Sequence, residues 1–203
     1  MKLHWSPRSP FVRKVMVAAH ELNLADRIEP VRTVVAMKAP NRDLLLDNPL
    51  SKIPTLVLDD GTAIFDSLVI CEYLDTLAGG RLFPRDGMSR WHALTRHALA
   101  NGLLDHLILW RNEREKPPER QTPEWLDSFA LKTRETLARL ERDAAWLDGE
   151  PFDIAHITVG VLLGYLDFRF DDLRWRDAHP RLTAWNETFA ARPSARATEV
   201  RDG

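Results

Sequence analysis

Cys71 is the only cysteine in a chain of 203 residues, so the chain can build no internal disulfide, no dithiol pair and no thiolate metal cluster. Any thiol chemistry must use a thiol brought from outside. Ser9 stands directly ahead of Pro10 and a helical run, and Asp66-Ser67 stands ahead of another. At a helix start the unpaired N–H groups and the positive end of the dipole favour an anion, and a thiolate is stabilised there. Lowering a free thiol's pKa of about 8.5 by two units takes roughly 2.7 kcal/mol, which one hydroxyl donor plus a helix terminus can supply. A serine in this role is a hydrogen-bond donor, not a nucleophile, and needs no His or Asp partner; the sequence offers no triad. Two readings of Ser9 stand, a thiolate donor or a plain N-cap, and Ser6 is a rival donor. His92, His97 and His106 lack the spacing of a metal site and read as surface or packing residues.

The elements that position these residues follow from periodicity. Lys2 to Trp5 predicts a strand and Pro10 to Asn23 a helix, with Val12, Val15, Met16, Ala19 and Leu22 on one face. Val31 to Val35 predicts a second strand, and Lys38 to Asn48 has weak helical character. Ile53 to Leu58, the turn Asp59-Asp60-Gly61 and Ala63 to Phe65 form an antiparallel hairpin. A helix from Ser67 to about Ala78 stops at Gly79-Gly80. The order β-α-β-α-β-β-α over residues 1–80 is that of an α/β thioredoxin-like domain. Residues 81–88 read as a linker, and 89–203 as an all-α helical-bundle domain. Its helices run Ser89 to Arg114, Thr122-Pro123 to Trp146, Ile154 to about Phe168 behind an Asp153 N-cap, and Pro180 to Arg192.

With 44% hydrophobic and 29% charged residues and a formal net charge of −2, the composition is that of an ordinary globular protein, which favours neither nucleic acid nor a membrane surface as partner. The longest apolar run, Val159 to Leu166, is far short of the roughly 20 residues that span a bilayer. Met1 to Arg8 contains no apolar secretory stretch, so a cytoplasmic location is the expectation.

Three segments, Ser9-Pro10-Phe11-Val12-Arg13-Lys14-Val15, Asn48-Pro49-Leu50-Ser51-Lys52-Ile53-Pro54 and Phe65-Asp66-Ser67 leading into Leu68 to Leu74, resemble in order and separation the glutathione-binding domain of the glutathione S-transferase superfamily. Pro151 to Arg169 with Gly160 and Gly164, and Pro180-Arg181-Leu182 with Trp185 and Arg192-Pro193-Ser194, resemble the closing helices of its second domain. Bacterial serine-type members, near the zeta and tau active-site pattern, are the nearest match.

The resemblance implies an enzyme with glutathione as co-substrate and no metal, joining the glutathione thiolate to a small electrophile with Ser9 as donor to the sulfur. Phe11 and Lys52 belong to the implied glutathione site, Lys52 near the glycyl carboxylate unless it is plain solvated surface. The Ile53-Pro54 bond is cis in that family, and Ile53 pairs with glutathione through its backbone. Ser67 caps its helix and faces the γ-glutamyl carboxylate, with Asp66 on the amino group. Trp110, Arg111 and Asn112, near the end of the long helix, are either second-substrate contacts or packing and solvent-facing residues. A homodimer is implied. The alternatives are a non-catalytic binder of glutathione and apolar ligands, or an interaction module on the same fold. Two positions depart from the pattern. Ser51 replaces the usual glycine, which suggests a turn that needs no positive φ, and His156 replaces the usual aspartate after Asp153-Ile154-Ala155, which puts the buried capping interaction in question and reads as structural.

Overall fold

The computed structural model describes residues 1–202. Two compact units divide the chain, one built from Met1–Arg90 and the stretch from Arg192, the other from Trp91–Ala191.

The first unit carries β1 (Lys2–Trp5), α1 (Pro10–Glu21), β2 (Glu29–Arg32), β3 (Thr55–Val57), β4 (Ala63–Ile64) and α2 (Ser67–Leu77). The sheet runs β2-β1-β3-β4, with β1 parallel to β2 and antiparallel to β3, which is antiparallel to β4. Leu3 and Leu56 from the sheet, Val12, Val15, Ala18 and Ala19 from α1, and Ile70, Cys71 and Leu74 from α2 are buried together as its core, matching the period of each element.

The segment expected to have weak helical character between β2 and β3 holds one 3-10 turn, Leu44–Leu46. Asn41 explains why: its Oδ1 accepts from the N–H groups of Asp43 and Leu44, both at 3.1 Å, and such local side-chain bonds compete with a helical ladder. At the end of α2, Gly79 and Gly80 take φ of 90° and 79°, the left-handed stop that glycine makes easy. Buried Asp75 then gathers the chain beyond it, accepting from Arg81 and Leu82 N–H at 2.7 Å and from Phe83 N–H at 3.1 Å.

The second unit takes up α3 (Gly87–Arg114) from Trp91 onward and continues with α4 (Pro123–Arg142), α5 (Ala145–Gly149), α6 (Ile154–Arg169) and α7 (Pro180–Ala191). The helix expected to reach Trp146 is two, α4 and α5, parted at Asp143-Ala144. Buried almost end to end, α6 lies against α7 so closely that a Cβ at Gly160 would overlap the Phe189 ring. Glu141 at the end of α4 accepts from Arg181 and Leu182 N–H at 3.0 and 2.9 Å, which caps the start of α7.

His156 does not cost α6 its cap. Asp153 Oδ1 accepts from Ala155 and His156 N–H at 2.9 and 3.1 Å, and His156 Nδ1 lies 3.1 Å from Asp153 N and 2.6 Å from Asp153 Oδ1. Unprotonated, Nδ1 accepts from the Asp153 N–H and completes a reciprocal box; protonated, it donates to the carboxylate. The imidazole thus fills the place of a second carboxylate, among Trp146, Phe152 and Trp185.

The sequence reading runs the helical domain to residue 203, but the closing stretch belongs to the first unit, where α8 (Pro193–Ala197) packs on α1. Glu21, at the end of α1 and 11% exposed, is the reason. Arg192 donates to its two carboxylate oxygens at 2.9 Å, Ser194 donates at 2.6 Å, and Arg81 lies 3.8 Å away. Burial would raise the Glu21 pKa, but the hydrogen bonds from Arg192 and Ser194 and the nearby guanidinium charges outweigh it and hold it below the ordinary 4.5. A carboxyl with a depressed folded-state pKa contributes stability that is fully present above its ordinary value and is lost as pH falls through the folded value. Glu21→Ala should therefore cost about 2–4 kcal/mol at pH 7. Urea titrations of wild type and variant at stepped pH should show this gap narrowing below pH 4.5; a gap that stays constant down to pH 3 would remove Glu21 from this role.

Candidate functional site

Topology brings the three sequence segments to one edge of the sheet. The chain leaves β1 at Trp5 and enters α1 after Ser6 to Ser9. Because β3 is antiparallel to β1, with Thr55 opposite His4, the Ile53-Pro54 pair just before β3 lies at that same edge. Since β4 runs antiparallel to β3, the chain leaves β4 into Phe65-Asp66 there as well. Two helix starts and one extended segment thus share an edge.

At the first helix start Ser9 is the N-cap of α1 and Pro10 its first residue. Val12 N–H donates to Ser9 Oγ at 3.3 Å, which uses a lone pair of the hydroxyl and leaves its proton to donate elsewhere. The cap and donor readings are compatible for this reason. Ser6 is placed differently: its Oγ accepts from Arg32 Nη1 at 2.8 Å, and its carbonyl accepts from Ser9 N–H at 3.3 Å. Phe11 is half-buried, with the ammonium of the wholly buried Lys14 5.8 Å from its ring centroid.

The extended segment is held by Asn48. This buried side chain accepts from Leu50 N–H at 3.0 Å and donates to Lys52 O at 3.2 Å and Thr55 Oγ1 at 2.9 Å. The Lys52 side chain is exposed. Ile53-Pro54 is cis, and the β1–β3 ladder begins at Thr55, beyond Ile53. Ser51 has φ of +48°, so the turn does require the left-handed region, contrary to the sequence reading. Its Oγ accepts from Asn41 N–H at 2.9 Å, a bond that glycine lacks and that offsets the roughly 1–2 kcal/mol cost of a left-handed residue. The same loop is tied to β1 by His4, whose Nδ1 and Nε2 lie 2.8 Å from Thr33 Oγ1 and 2.9 Å from Asp47 Oδ2.

At the second helix start the cap is Asp66, not Ser67. Leu68 and Val69 N–H donate to Asp66 Oδ1 at 3.0 and 3.5 Å, and Ser67 is the first helical residue, 2% exposed. The backbone decides it: Asp66 is extended, with φ of −89° and ψ of −161°, as an N-cap must be, whereas Ser67 is already helical. Cys71, one turn on, is fully buried; burial pushes its thiol up to about 12, with Lys14 opposing and Asp66 and Asp75 adding to the shift. It is not a thiolate nucleophile at neutral pH.

Of the three residues near the end of α3, Trp110 is buried between Phe129 and Phe170, with Arg114 over its ring. Arg111 pairs with Glu115 at 3.2 Å and donates to Asn112 Oδ1 at 3.2 Å. Among the described residues no group of three or more His, Cys, Asp or Glu is placed to hold a metal, and no helix is long and apolar enough to cross a membrane. Asn48 and His4 are positioning residues that the sequence reading missed. The Asn-Pro pair is a turn signal that could have pointed to Asn48, whereas nothing local marks His4.

Residues 8–77 match the glutathione S-transferase N-terminal domain and residues 123–187 the glutathione S-transferase C-terminal domain. The uncharacterized GST-like protein YibF of Escherichia coli K12 is 30% identical over 98% of each chain. A crystal structure of a glutathione transferase family member from Pseudomonas fluorescens Pf-5, with bound glutathione, is 46% identical, covers 99% of each chain and superposes with a TM-score of 0.95. A second structure of a family member from the same strain, with bound S-(propanoic acid)-glutathione, is 45% identical with a TM-score of 0.91, also over 99% of each chain. Domain matches in both halves, a relative aligned end to end and a thioredoxin-like unit with two capped helix starts at one sheet edge agree: the chain belongs to the glutathione S-transferase superfamily.

Proposed function

We propose that the protein is a serine-type glutathione transferase, which binds glutathione on its first unit, ionises the thiol through Ser9 and joins it to a small electrophile. The observation that carries this reading is the hydrogen bond from Val12 N–H to Ser9 Oγ. It fixes the oxygen at the helix start and leaves the hydroxyl proton for a sulfur, while the dipole of α1 favours the anion. The glutathione bound in the 46% identical neighbour supports the choice of thiol.

In this reading the backbone of Ile53 pairs with the tripeptide as an added strand. The N–H of Ser67, which the Asp66 cap does not engage, takes the γ-glutamyl carboxylate, and Asp66 Oδ2 takes the amino group. Phe11 and Lys52 complete the glutathione contacts. The thiolate then forms a sulfur–carbon bond as a halide leaves, or adds to a polarised double bond whose electrons move to the neighbouring carbon, which takes a proton from water. Rate comes from a larger thiolate fraction and from holding the reactants together. Because Cys71 is buried with its thiol near 12, the chain's own thiol does not compete. Turnover with glutathione across aryl halides, epoxides, isothiocyanates and peroxides separates an enzyme from a silent binder.

The protein is proposed to act as a homodimer. Sedimentation at micromolar concentration should give about twice the 23.3 kDa chain mass, and a species at the chain mass would count against it.

Asp66→Ala should weaken glutathione binding by roughly 1.5–3 kcal/mol in the complex, with a smaller change in kcat, because the contact is far from the sulfur and equal in ground and transition states. An unchanged dissociation constant would take Asp66 out of the site.

Ser9→Ala should separate affinity from ionisation. Glutathione should still bind through Ile53 and Ser67, while the bound thiol's pKa rises by about one to two units for the loss of a hydrogen bond to a charged group. Thiolate absorbance in the ultraviolet, titrated against pH in both proteins, reads this directly. If the two curves coincide, Ser9 is only the cap of α1.

A further inference from the structure

Within the first unit one chain of polar contacts runs from the sheet to the segment at Ile53, and it starts at His4 on β1. The His4 side chain is 15% exposed. Its Nε2 lies 2.9 Å from Asp47 Oδ2 and its Nδ1 2.8 Å from Thr33 Oγ1. Thr33 is buried, and its hydroxyl lies 3.0 Å from the carbonyl of Val31, the residue beside His4 in the parallel register. These distances constrain the protons. An ionised carboxylate and a carbonyl can only accept, so Nε2 carries a proton for Asp47 and the Thr33 hydroxyl gives its own to Val31. What Thr33 Oγ1 then offers Nδ1 is a lone pair. Only with hydrogen on both ring nitrogens is each of the three contacts a hydrogen bond; a neutral ring must take the Thr33 proton and leave two oxygens 3.0 Å apart with nothing between them.

The Asp47 carboxylate is the charge that meets the ring. Lys2 and Glu29, paired in register on the same face of the sheet, are exposed, as are Lys38, Arg42, Asp43 and Lys52 on the loop, where water and salt screen them. Arg32 alternates to the opposite face of β2 and donates to Ser6. From Asp47 the chain continues without a gap. Asp47 and Asn48 both donate their N–H to Leu44 O, at 3.1 and 2.8 Å, so they are held together at the end of the 3-10 turn. The Asn48 side chain in turn holds Leu50, Lys52 and Thr55, on either side of Ile53.

We infer that His4 is a positioning residue that works as an imidazolium, and that its proton sets how firmly the loop ahead of β3 is held for glutathione; this rests on the reading of the first unit as a glutathione site. Histidine is the side chain that changes charge between pH 5 and 8. When the ring loses its proton, one hydrogen bond goes and the pair with Asp47 is no longer ionic. The link is therefore complete at the acid end of that range and weakens as pH rises. Apparent affinity falls with the fraction of molecules whose loop is in place, a trend opposite to that of thiol ionisation.

Calorimetric titration of the full chain with S-methylglutathione, at steps from pH 5.5 to 8.0, tests this, because a methylated sulfur has no proton to lose. Wild type should bind about three- to tenfold more tightly at the acid end, the strength of one hydrogen bond. His4→Gln can still donate to Asp47 but holds no titrating proton, so its affinity should be flat over the range. Asp47→Asn, at a half-buried position, keeps the shape and removes the charge, and it should move the fall in affinity to lower pH, which the loss of a merely structural contact would not do. A flat wild-type affinity would overturn this inference alone, as would a fall that persists in His4→Gln or one that stays at the same pH in Asp47→Asn. Failure of S-methylglutathione to bind at any pH would overturn the glutathione reading and this inference with it.

Discussion

The first backbone N–H groups of a helix have no partner within it, and at the starts of α2, α4, α6 and α7 a carboxylate supplies one. Asp66 takes two donors at the start of α2, Asp75 three at its exit, Asp153 two at the start of α6, and Glu141 two at the start of α7. Glu113 takes Thr122 N–H at 2.8 Å where α4 begins. Losing such a cap costs about 0.5–2 kcal/mol, so each of these acids fixes a direction of departure that the apolar core alone does not specify. Hydrophobic burial decides which faces pack, and these acids decide where each helix begins.

The same demand shapes the candidate site. Ser9 answers it at α1 with a hydroxyl, which has a proton to spare; Asp66 answers it at α2 with a carboxylate, which has none but carries a charge. Two ends of similar geometry therefore differ in chemistry, one suited to donating to an anion and the other to receiving a cation. Between them Asn48 and Ser51 spend their side chains on the loop's own backbone, so the segment at Ile53 is positioned before any ligand arrives.

β1, β3, α1, α2 and the starts of the long helices were legible because their apolar residues repeat with the right period and their ends carry Pro, Gly or acidic residues, whereas β2, expected at Val31 to Val35, lies at Glu29–Arg32, where exposed residues leave no alternation to read. Legibility failed where a choice was made between neighbours. Asp66 and Ser67 are both capping residues, and only the observed backbone at Asp66 separates them. Serine in place of glycine at residue 51 suggests a relaxed turn, but serine tolerates the left-handed region because its Oγ accepts from Asn41 N–H, and Asn41 is ten residues away. His4 depends on Thr33 and Asp47, 29 and 43 residues further on, and Glu21 on Arg192, 171 residues distant; no local pattern records such pairs. In the candidate site, residue types could be read from sequence, but which lone pair or proton each has left to offer could not.

The clasp between Glu21 and Arg192 also bears on how the protein is made. During synthesis the strands and helices of the first unit leave the ribosome early, yet the residues that close over the end of α1 follow only after the whole of the second unit has been translated. The nascent first unit must wait with the Glu21 carboxylate facing Arg81 but without the two-pronged contact from Arg192, and with the surface that α8 covers still open to solvent. Its folding is therefore completed from the far end of the chain, and a ribosome that stalls before Arg192 releases an N-terminal unit that has every strand and helix start of the site but not its final closure.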